Sequence, residues 1–116
     1  MDKKGVFASL DNSPIIKVIS GISARPVYCD DKIMVILFEV ENEVPMHSHS
    51  SLQFGLVLSG KVKFTIDDKT KIVGRGSFYY IPSNIVHGVK VLEKPFKALD
   101  VFMPPREDYK YLFTST

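Results

Sequence analysis

The sequence predicts an all-β fold, built as a small barrel or as a double-sheet jelly roll. Its apolar residues come in short runs rich in Val, Ile and Phe, and Gly, Pro, Asn and Asp separate these runs. The runs follow one another at short and even spacing, and they lack helical periodicity. About eight such strands are enough to close a barrel or to form two packed sheets.

The elements are expected in the following order along the chain. Asp30-Asp31 and Asp67-Asp68 are typical of hairpin turns, and "GRGS" at 74–77 is another tight connection. A helical turn or two is expected in "REDYKYLF", which follows Pro104-Pro105. The other strands are expected at 26–29, 32–40, 52–60, 61–66, 69–74, 77–82, 87–92 and 96–103.

A chain of 116 residues can bury one hydrophobic core, so a single domain is expected over 1–116. We expect an N-terminal arm at 1–20, a barrel over about 21–103, and a C-terminal tail at 104–116. Because 45% of the residues are hydrophobic and 24% are charged, the composition is that of a folded globular protein rather than a disordered chain.

The charge pattern and the hydropathy pattern exclude several functional classes. The 15 basic and 13 acidic side chains give a net charge of +2, and they are scattered, which argues against nucleic-acid binding. No apolar run reaches the roughly 18 residues of a membrane span, and the first residues do not resemble a signal peptide. A soluble, cytoplasmic protein is therefore expected. Cys29 is the single cysteine, and we expect it to be a small apolar filler.

The three histidines of the sequence predict a metal site. In a strand, His47 and His49 would point to the same face, and a hairpin after His49 would bring Gln53 beside them. His87 begins a later strand. Three imidazoles and an amide oxygen suit a divalent transition metal (Ni, Zn, Mn or Fe) and leave positions open for water or substrate. The alternatives are exposed or structural histidines, and a Gln53 that hydrogen-bonds a ligand instead of the metal.

These residues carry a resemblance to the cupin superfamily. "HSHSSLQFGLVLSG" is similar to the first cupin motif, with His47, His49, Gln53 and Gly60 at the motif spacing, and "GSFYYIPSNIVH" is similar to the second motif. Asn84 stands where many cupins have glycine, and it is a residue that tolerates left-handed backbone geometry. The resemblance implies a double-stranded β-helix, or jelly-roll barrel, and a metal held by the three histidines and Gln53.

A second unusual stretch is "ALDVFMPPREDY" at 98–109. In a strand, Asp100 and Phe102 share a face, and a carboxylate inside a barrel is unfavourable unless it is paired or functional. The rigid Pro104-Pro105 turn would bring Arg106 back across the mouth of the barrel, where its guanidinium suits a substrate carboxylate. The alternative is an exposed Asp100 and an Arg106 paired with Glu107 or Asp108 at the surface.

Together with the two motifs, "LDVFMPPREDY" resembles the KdgF-type cupins of pectin degradation. That resemblance implies a metal-dependent enzyme that opens and ketonises 4,5-unsaturated monouronates. It places Asp100 and Arg106 as catalytic residues, and Phe102 and Arg106 as substrate-binding residues. The sequence departs from these relatives at "SHSSLQ", where they read closer to "SHPHEQ", and the departure alters the rim of the cavity.

Two other functions are compatible with the motifs. An iron-dependent cupin dioxygenase would share the histidines but would consume oxygen, and a non-catalytic cupin would bind a sugar or a metal without turnover. The partner implied by the resemblance is a small molecule, with a sugar acid expected. The resemblance also implies a homodimer formed through a sheet, to which the N-terminal segment contributes an edge strand. Segment 13–20, "SPIIKVIS", is apolar enough for that role and would otherwise leave an exposed edge.

Overall fold

The computed structural model describes residues 5–114, which form eight β-strands and two short 3-10 helices. The helices cover Leu10–Asn12 and Glu107–Phe113. The strands are β1 (Ile16–Ile19), β2 (Ile22–Cys29), β3 (Met34–Val40), β4 (Glu43–His47), β5 (Leu52–Ile66), β6 (Lys69–Gly74), β7 (Phe78–Ile81) and β8 (His87–Met103). The all-β prediction is confirmed, and so are the helical turns after Pro104-Pro105.

The strands form an antiparallel jelly roll. Their order is β1-β2-β3-β8-β5-β6, with β4 added to β8 and β7 added to β5. The first half of β8 pairs with β4 and the second half of β5, whereas the second half of β8 pairs with β3 and the first half of β5. The two long strands therefore belong to both layers of the barrel. β1 lies at an edge of the sheet, and both aspartate pairs lie in hairpin connections, as predicted.

Two pairs of predicted strands are each one bent strand in the structure. Segments 52–60 and 61–66 join in β5, and segments 87–92 and 96–103 join in β8. Gly60 lies at the bend of β5 with φ +85°, and a Cβ there would come within 2.5–2.8 Å of backbone atoms of Glu93, Pro95 and Phe96. The two bends thus pack against each other, and only glycine fits at this contact.

The core lies between the two layers and follows the alternation of the strands. Inward side chains such as Met34, Ile36, Val57 and Val62 are fully buried. Leu112 of the C-terminal 3-10 helix is also buried in this core, so the tail packs on the barrel. No helix in residues 5–114 combines the length and the apolar character needed to cross a membrane.

Candidate active site

Three imidazole rings converge at one end of the barrel. The ligand atoms of His47, His49 and His87 all lie within 4.8 Å of one another. His47 and His87 are direct cross-strand partners in β4 and β8, and their ring centroids are 4.3 Å apart. The expectation that His49 shares a strand with His47 is wrong, because β4 ends at His47 and His49 lies in the loop that follows.

Each of these rings is held by a backbone carbonyl in the same way. Nδ1 lies 2.9 Å from the carbonyl oxygen of Pro45 in His47, of Ser51 in His49 and of Ile85 in His87. Because a carbonyl oxygen only accepts hydrogen bonds, Nδ1 carries the hydrogen in all three rings, and the neutral rings therefore have a bare Nε2. A bare Nε2 is the form of imidazole that binds a metal ion.

The environment of His87 fits a divalent metal. Its Nε2 is buried and has no hydrogen-bond partner, which is unfavourable for a polar atom that nothing else satisfies. Burial is the main cause that lowers the pKa of His87 to about 4, and burial also lowers the pKa of His49. Both rings therefore stay neutral at physiological pH. Three converging imidazole nitrogen donors are a ligand set suited to a divalent transition metal.

Gln53 joins the histidines by a different route from the one expected. The predicted hairpin after His49 is wrong, because β4 pairs with β8 and not with β5. Gln53 is instead placed by its partners Phe102 and Ile81 in the neighbouring strands. Its Oε1 lies 3.1 Å from Nε2 of His49, so the amide oxygen faces the histidine cluster. The side chain is buried and also hydrogen-bonds Asp100.

Asp100 is buried on the inner face of β8, so the alternative of an exposed Asp100 is wrong. Only 5% of the residue is exposed, and burial raises the pKa of the carboxyl group to about 6. Hydrogen bonds from Tyr79 and Gln53 and the charge of Arg106 oppose this rise. A carboxyl group with a pKa near neutrality can both accept and donate a proton at physiological pH.

Tyr79 lines the cavity beside Asp100. Its buried hydroxyl donates a hydrogen bond to Oδ1 of Asp100, and burial raises the pKa of this phenol well above its usual value. On the sequence alone, one parity of the aromatic run "FYY" at 78–80 can line the cavity, but core packing is the prediction for at least two of its three residues. That prediction is wrong, because Phe78 and Tyr80 are largely exposed on the outer face of the sheet.

Arg106 lines the cavity and has two sets of contacts. Its guanidinium pairs with Asp108, with Nη2 at 2.7 Å from Oδ2 and Nε at 3.1 Å from Oδ1. The guanidinium carbon also lies 5.4 Å from the ring centre of Phe102 and 4.2 Å from that of Tyr109. The predicted surface pair with Asp108 thus exists, but the arginine side chain is only 12% exposed and lines the cavity.

The loop after the histidine motif is tied to the tail that carries Arg106. The hydroxyl of buried Ser51 donates to the carbonyl oxygen of Pro104 at 2.6 Å. Asn84 has the left-handed φ expected for this position, +66°, and its backbone N–H donates to the carbonyl oxygen of His49 at 2.8 Å. Ser51 belongs to the segment "SHSSLQ", in which the sequence departs from the KdgF-type relatives. In this protein, Ser51 holds the C-terminal tail beside the histidine cluster.

The cavity has a polar end and an apolar interior. The volume of the cavity that is open to the centres of water molecules is about 80 Å³. The polar end contains His47, His87, Gln53, Asp100 and Arg106. The interior is lined mainly by apolar side chains, among them Ile22, Phe38, Val40, Phe64, Val89 and Phe96. A ligand that reaches the polar end would therefore extend into an apolar chamber.

Comparison with known proteins identifies the family. Residues 34–102, more than half of the chain, match the model of the cupin domain. The chain belongs to the cupin family. A curated relative, the H2HPP isomerase of Bacillus subtilis, is 32% identical over 90 residues that cover 69% of this chain. The chain spans only 38% of the length of that relative.

Solved structures support the same fold over nearly the whole chain. An RmlC-like cupin from Shewanella frigidimarina superposes with a TM-score of 0.84 at 21% identity, covering 94% of this chain and 99% of that one. KdgF from Halomonas sp. superposes with a TM-score of 0.83 at 22% identity, covering 90% and 98%. The cupin jelly-roll fold expected from the motifs is confirmed, and KdgF is among the solved structures that share it.

Proposed function

We propose that this cupin is a metal-dependent enzyme that opens and ketonises 4,5-unsaturated monouronates from pectin or alginate breakdown. The observation that carries the proposal is a buried carboxyl group, Asp100, in a cavity that is also lined by Arg106 and by two of the three converging histidines. The sequence resemblance of the "LDVFMPPREDY" tail to KdgF-type cupins supplies the substrate class.

His47, His49, His87 and Gln53 would hold the metal ion. When bound, such an ion would supply Lewis-acid stabilisation of negative charge on oxygen, and the neutral Gln53 would leave its +2 charge uncompensated by protein. The geometry of the cluster supports this ligand set, because the Nε2 atoms and the Gln53 oxygen face one another.

Asp100 would move the proton that the reaction requires. Opening of the cyclic hemiacetal breaks the bond between the ring oxygen and carbon 1. The proton of the carbon 1 hydroxyl is transferred to the former ring oxygen, which leaves an aldehyde at carbon 1 and an enol at carbon 5. The enol then loses its oxygen-bound proton while carbon 4 gains one, which yields a ketone, so the overall reaction is an isomerisation. A carboxyl group with a pKa of about 6 is suited to exchange protons in this way.

Arg106 and Phe102 would position the substrate. The guanidinium can bind a substrate carboxylate by donating two parallel hydrogen bonds to it. Its position over the rings of Phe102 and Tyr109 limits the conformational freedom of the arginine side chain. The Phe102 ring is buried beside the His49 ring, at 5.7 Å between centres, where it would pack on the sugar and exclude water. Binding and proton transfer would thus be assigned to different side chains of one cavity.

The test follows the conjugated ultraviolet absorbance of freshly prepared 4,5-unsaturated galacturonate. The decay is compared for metal-loaded protein, for chelator-treated protein and for buffer alone, since the ring opens slowly unaided. Acceleration that is lost with the metal and regained with its return is expected. If the absorbance decays no faster with metal-loaded protein than with buffer, the uronate function is refuted. Oxygen consumption would then test the dioxygenase, and uronate binding without turnover would indicate a non-catalytic cupin.

A second candidate function is favoured by the apolar interior of the cavity. Sugar hydroxyls buried against Phe38, Val89 and Phe96 would lack hydrogen-bond partners, which is unfavourable. An isomerase that shifts a proton on a small carboxylate with an apolar body would use the same Asp100 and Arg106, and the Bacillus subtilis relative is an isomerase by name. Calorimetric titration with galacturonate and with phenylpyruvate discriminates the two candidates, because only the second predicts tighter binding of the aromatic acid.

A further inference from the structure

Tyr79, Gly55 and Asp100 form one row across three neighbouring strands. Gly55 of β5 is the direct partner of Tyr79 in β7 on one side and of Asp100 in β8 on the other. Tyr79 and Asp100 both line the cavity, and both are buried. The phenol therefore reaches across β5 to meet the carboxyl group on the far strand.

Glycine at position 55 is what leaves room for this contact. A Cβ at that position would overlap Oδ1 of Asp100 and the hydroxyl oxygen of Tyr79. Its backbone does not adopt the positive φ found at Gly60 and Gly76. Space, and not backbone conformation, is therefore the reason for glycine here.

The contact is directional and well supported by its surroundings. The phenol has one hydrogen, and the structure shows it donated to Oδ1 of Asp100. The Tyr79 ring packs on Phe64 with ring centres 4.6 Å apart, which fixes the direction of the hydroxyl. On the cavity side, Asp100 also hydrogen-bonds Gln53, whose oxygen faces His49.

We infer that Tyr79 is a positioning residue for Asp100: its hydroxyl fixes the orientation of the carboxyl group toward the cavity, and Gly55 is required for this contact. Tyr79 would act through Asp100, because the single hydrogen of its hydroxyl is already donated to that carboxyl group. The kinetic consequence of this inference rests on the proposed function, whereas its structural consequence does not. Loss of the hydroxyl should free the carboxyl group to rotate, and proton transfer depends steeply on such geometry.

The first experiment compares Tyr79→Phe with Tyr80→Phe, a matched control in the same strand whose side chain is half exposed. Tyr79→Phe retains the ring that packs on Phe64 and removes only the hydroxyl. The readout is the carbon-13 resonance of the Asp100 carboxyl group in metal-free protein at a fixed pH, assigned by its loss in Asp100→Asn. We expect Tyr79→Phe to shift this resonance and Tyr80→Phe to leave it in place. An unshifted Asp100 resonance in Tyr79→Phe overturns the inference.

Gly55→Ala provides an independent variant, because it keeps the phenol and separates it from Asp100. It should shift the same resonance, and an unchanged resonance would again contradict the inference. With uronate as substrate, Tyr79→Phe should lower kcat about ten-fold or more and change KM by less than about two-fold, with metal content unchanged. A shifted resonance with unchanged kcat refutes the positioning role. If wild-type protein does not turn over uronate, the proposed function fails, while the carbon-13 comparison still decides the inference.

Discussion

Asp100→Asn should stabilise the metal-free protein at neutral pH while it removes the proposed activity. The substitution keeps the shape of the side chain and an oxygen that accepts from Tyr79, but it removes a buried negative charge. Burial raises the pKa of Asp100 from 3.8 to about 6. Because the folded state then binds the proton more tightly, the stability linked to this group is complete below about pH 4 and is lost as the pH rises through 6.

The size of the effect follows from the pKa shift. A shift of about two units corresponds to about 3 kcal/mol of unfolding free energy at pH 7, and to about 1 kcal/mol at pH 4.5. The asparagine NH₂ group faces the Gln53 amide and must find an acceptor, which reduces the gain, so about 3 kcal/mol is the upper limit. The difference between variant and wild type should therefore grow from pH 4.5 to pH 7.

Urea unfolding of chelator-treated protein at the two pH values measures this difference. Asp68→Asn, at an exposed turn, is the matched control and should change little at either pH. The reasoning is refuted if Asp100→Asn is destabilised at pH 7 or if its effect is the same at both pH values. A variant that is more stable, binds metal normally and does not turn over substrate could not owe its inactivity to misfolding.

Three further predictions concern the metal ligands, the substrate and the oligomeric state. Because burial lowers the pKa of His87 to about 4, its contribution to stability is complete above the ordinary value of 6.5 and is lost as the pH falls toward 4. In the absence of metal, the urea midpoint of His87→Gln should therefore fall less than that of the wild type as the pH drops from 6.5 toward 4. Added metal should no longer raise the melting temperature of this variant. Arg106→Met should raise KM about ten-fold or more with a smaller change in kcat, and Arg106→Lys should recover part of the loss, as measured by initial rates. A homodimer is expected through the outer sheet face, where Leu56, Phe78 and Tyr80 are exposed. Light scattering should show a dimer for the wild type and a monomer for Phe78→Lys. A wild-type monomer would contradict the expectation.

The strands were predictable because their residues alternate between the core and the solvent. Segment 69–74 coincides with β6, and segment 32–40 contains β3. The histidine cluster was also predictable in composition, but local spacing gave the wrong geometry for it. His49 and Gln53 meet through the loop after β4 and through the pairing of β5 with β7 and β8, which are long-range contacts that spacing along the chain does not encode.

The role of Tyr79 could not be read from "FYY" alone. Alternation separates Tyr79 from its two neighbours, but three aromatic residues in a row give no signal for which face is inside. The deciding information is the register that sets Gly55 between Tyr79 and Asp100. A one-residue slip of β7 would have turned Phe78 and Tyr80 inward instead.

The bend of β8 explains how His87 and Asp100 come to share one cavity. A straight strand of 17 residues would span roughly 55 Å, whereas the longest dimension of the described structure is 38 Å. The inward-facing residues of β8 occupy odd positions before the bend and even positions after it. They are His87, Val89 and Val91 before the bend, and Phe96, Ala98, Asp100 and Phe102 after it. Without that change, Asp100 would face solvent, as Leu92 does, and the carboxyl group would have neither its raised pKa nor its contact with Tyr79. The chemistry proposed for Asp100 therefore depends on the packing of Gly60 against the bend as much as on the aspartate itself.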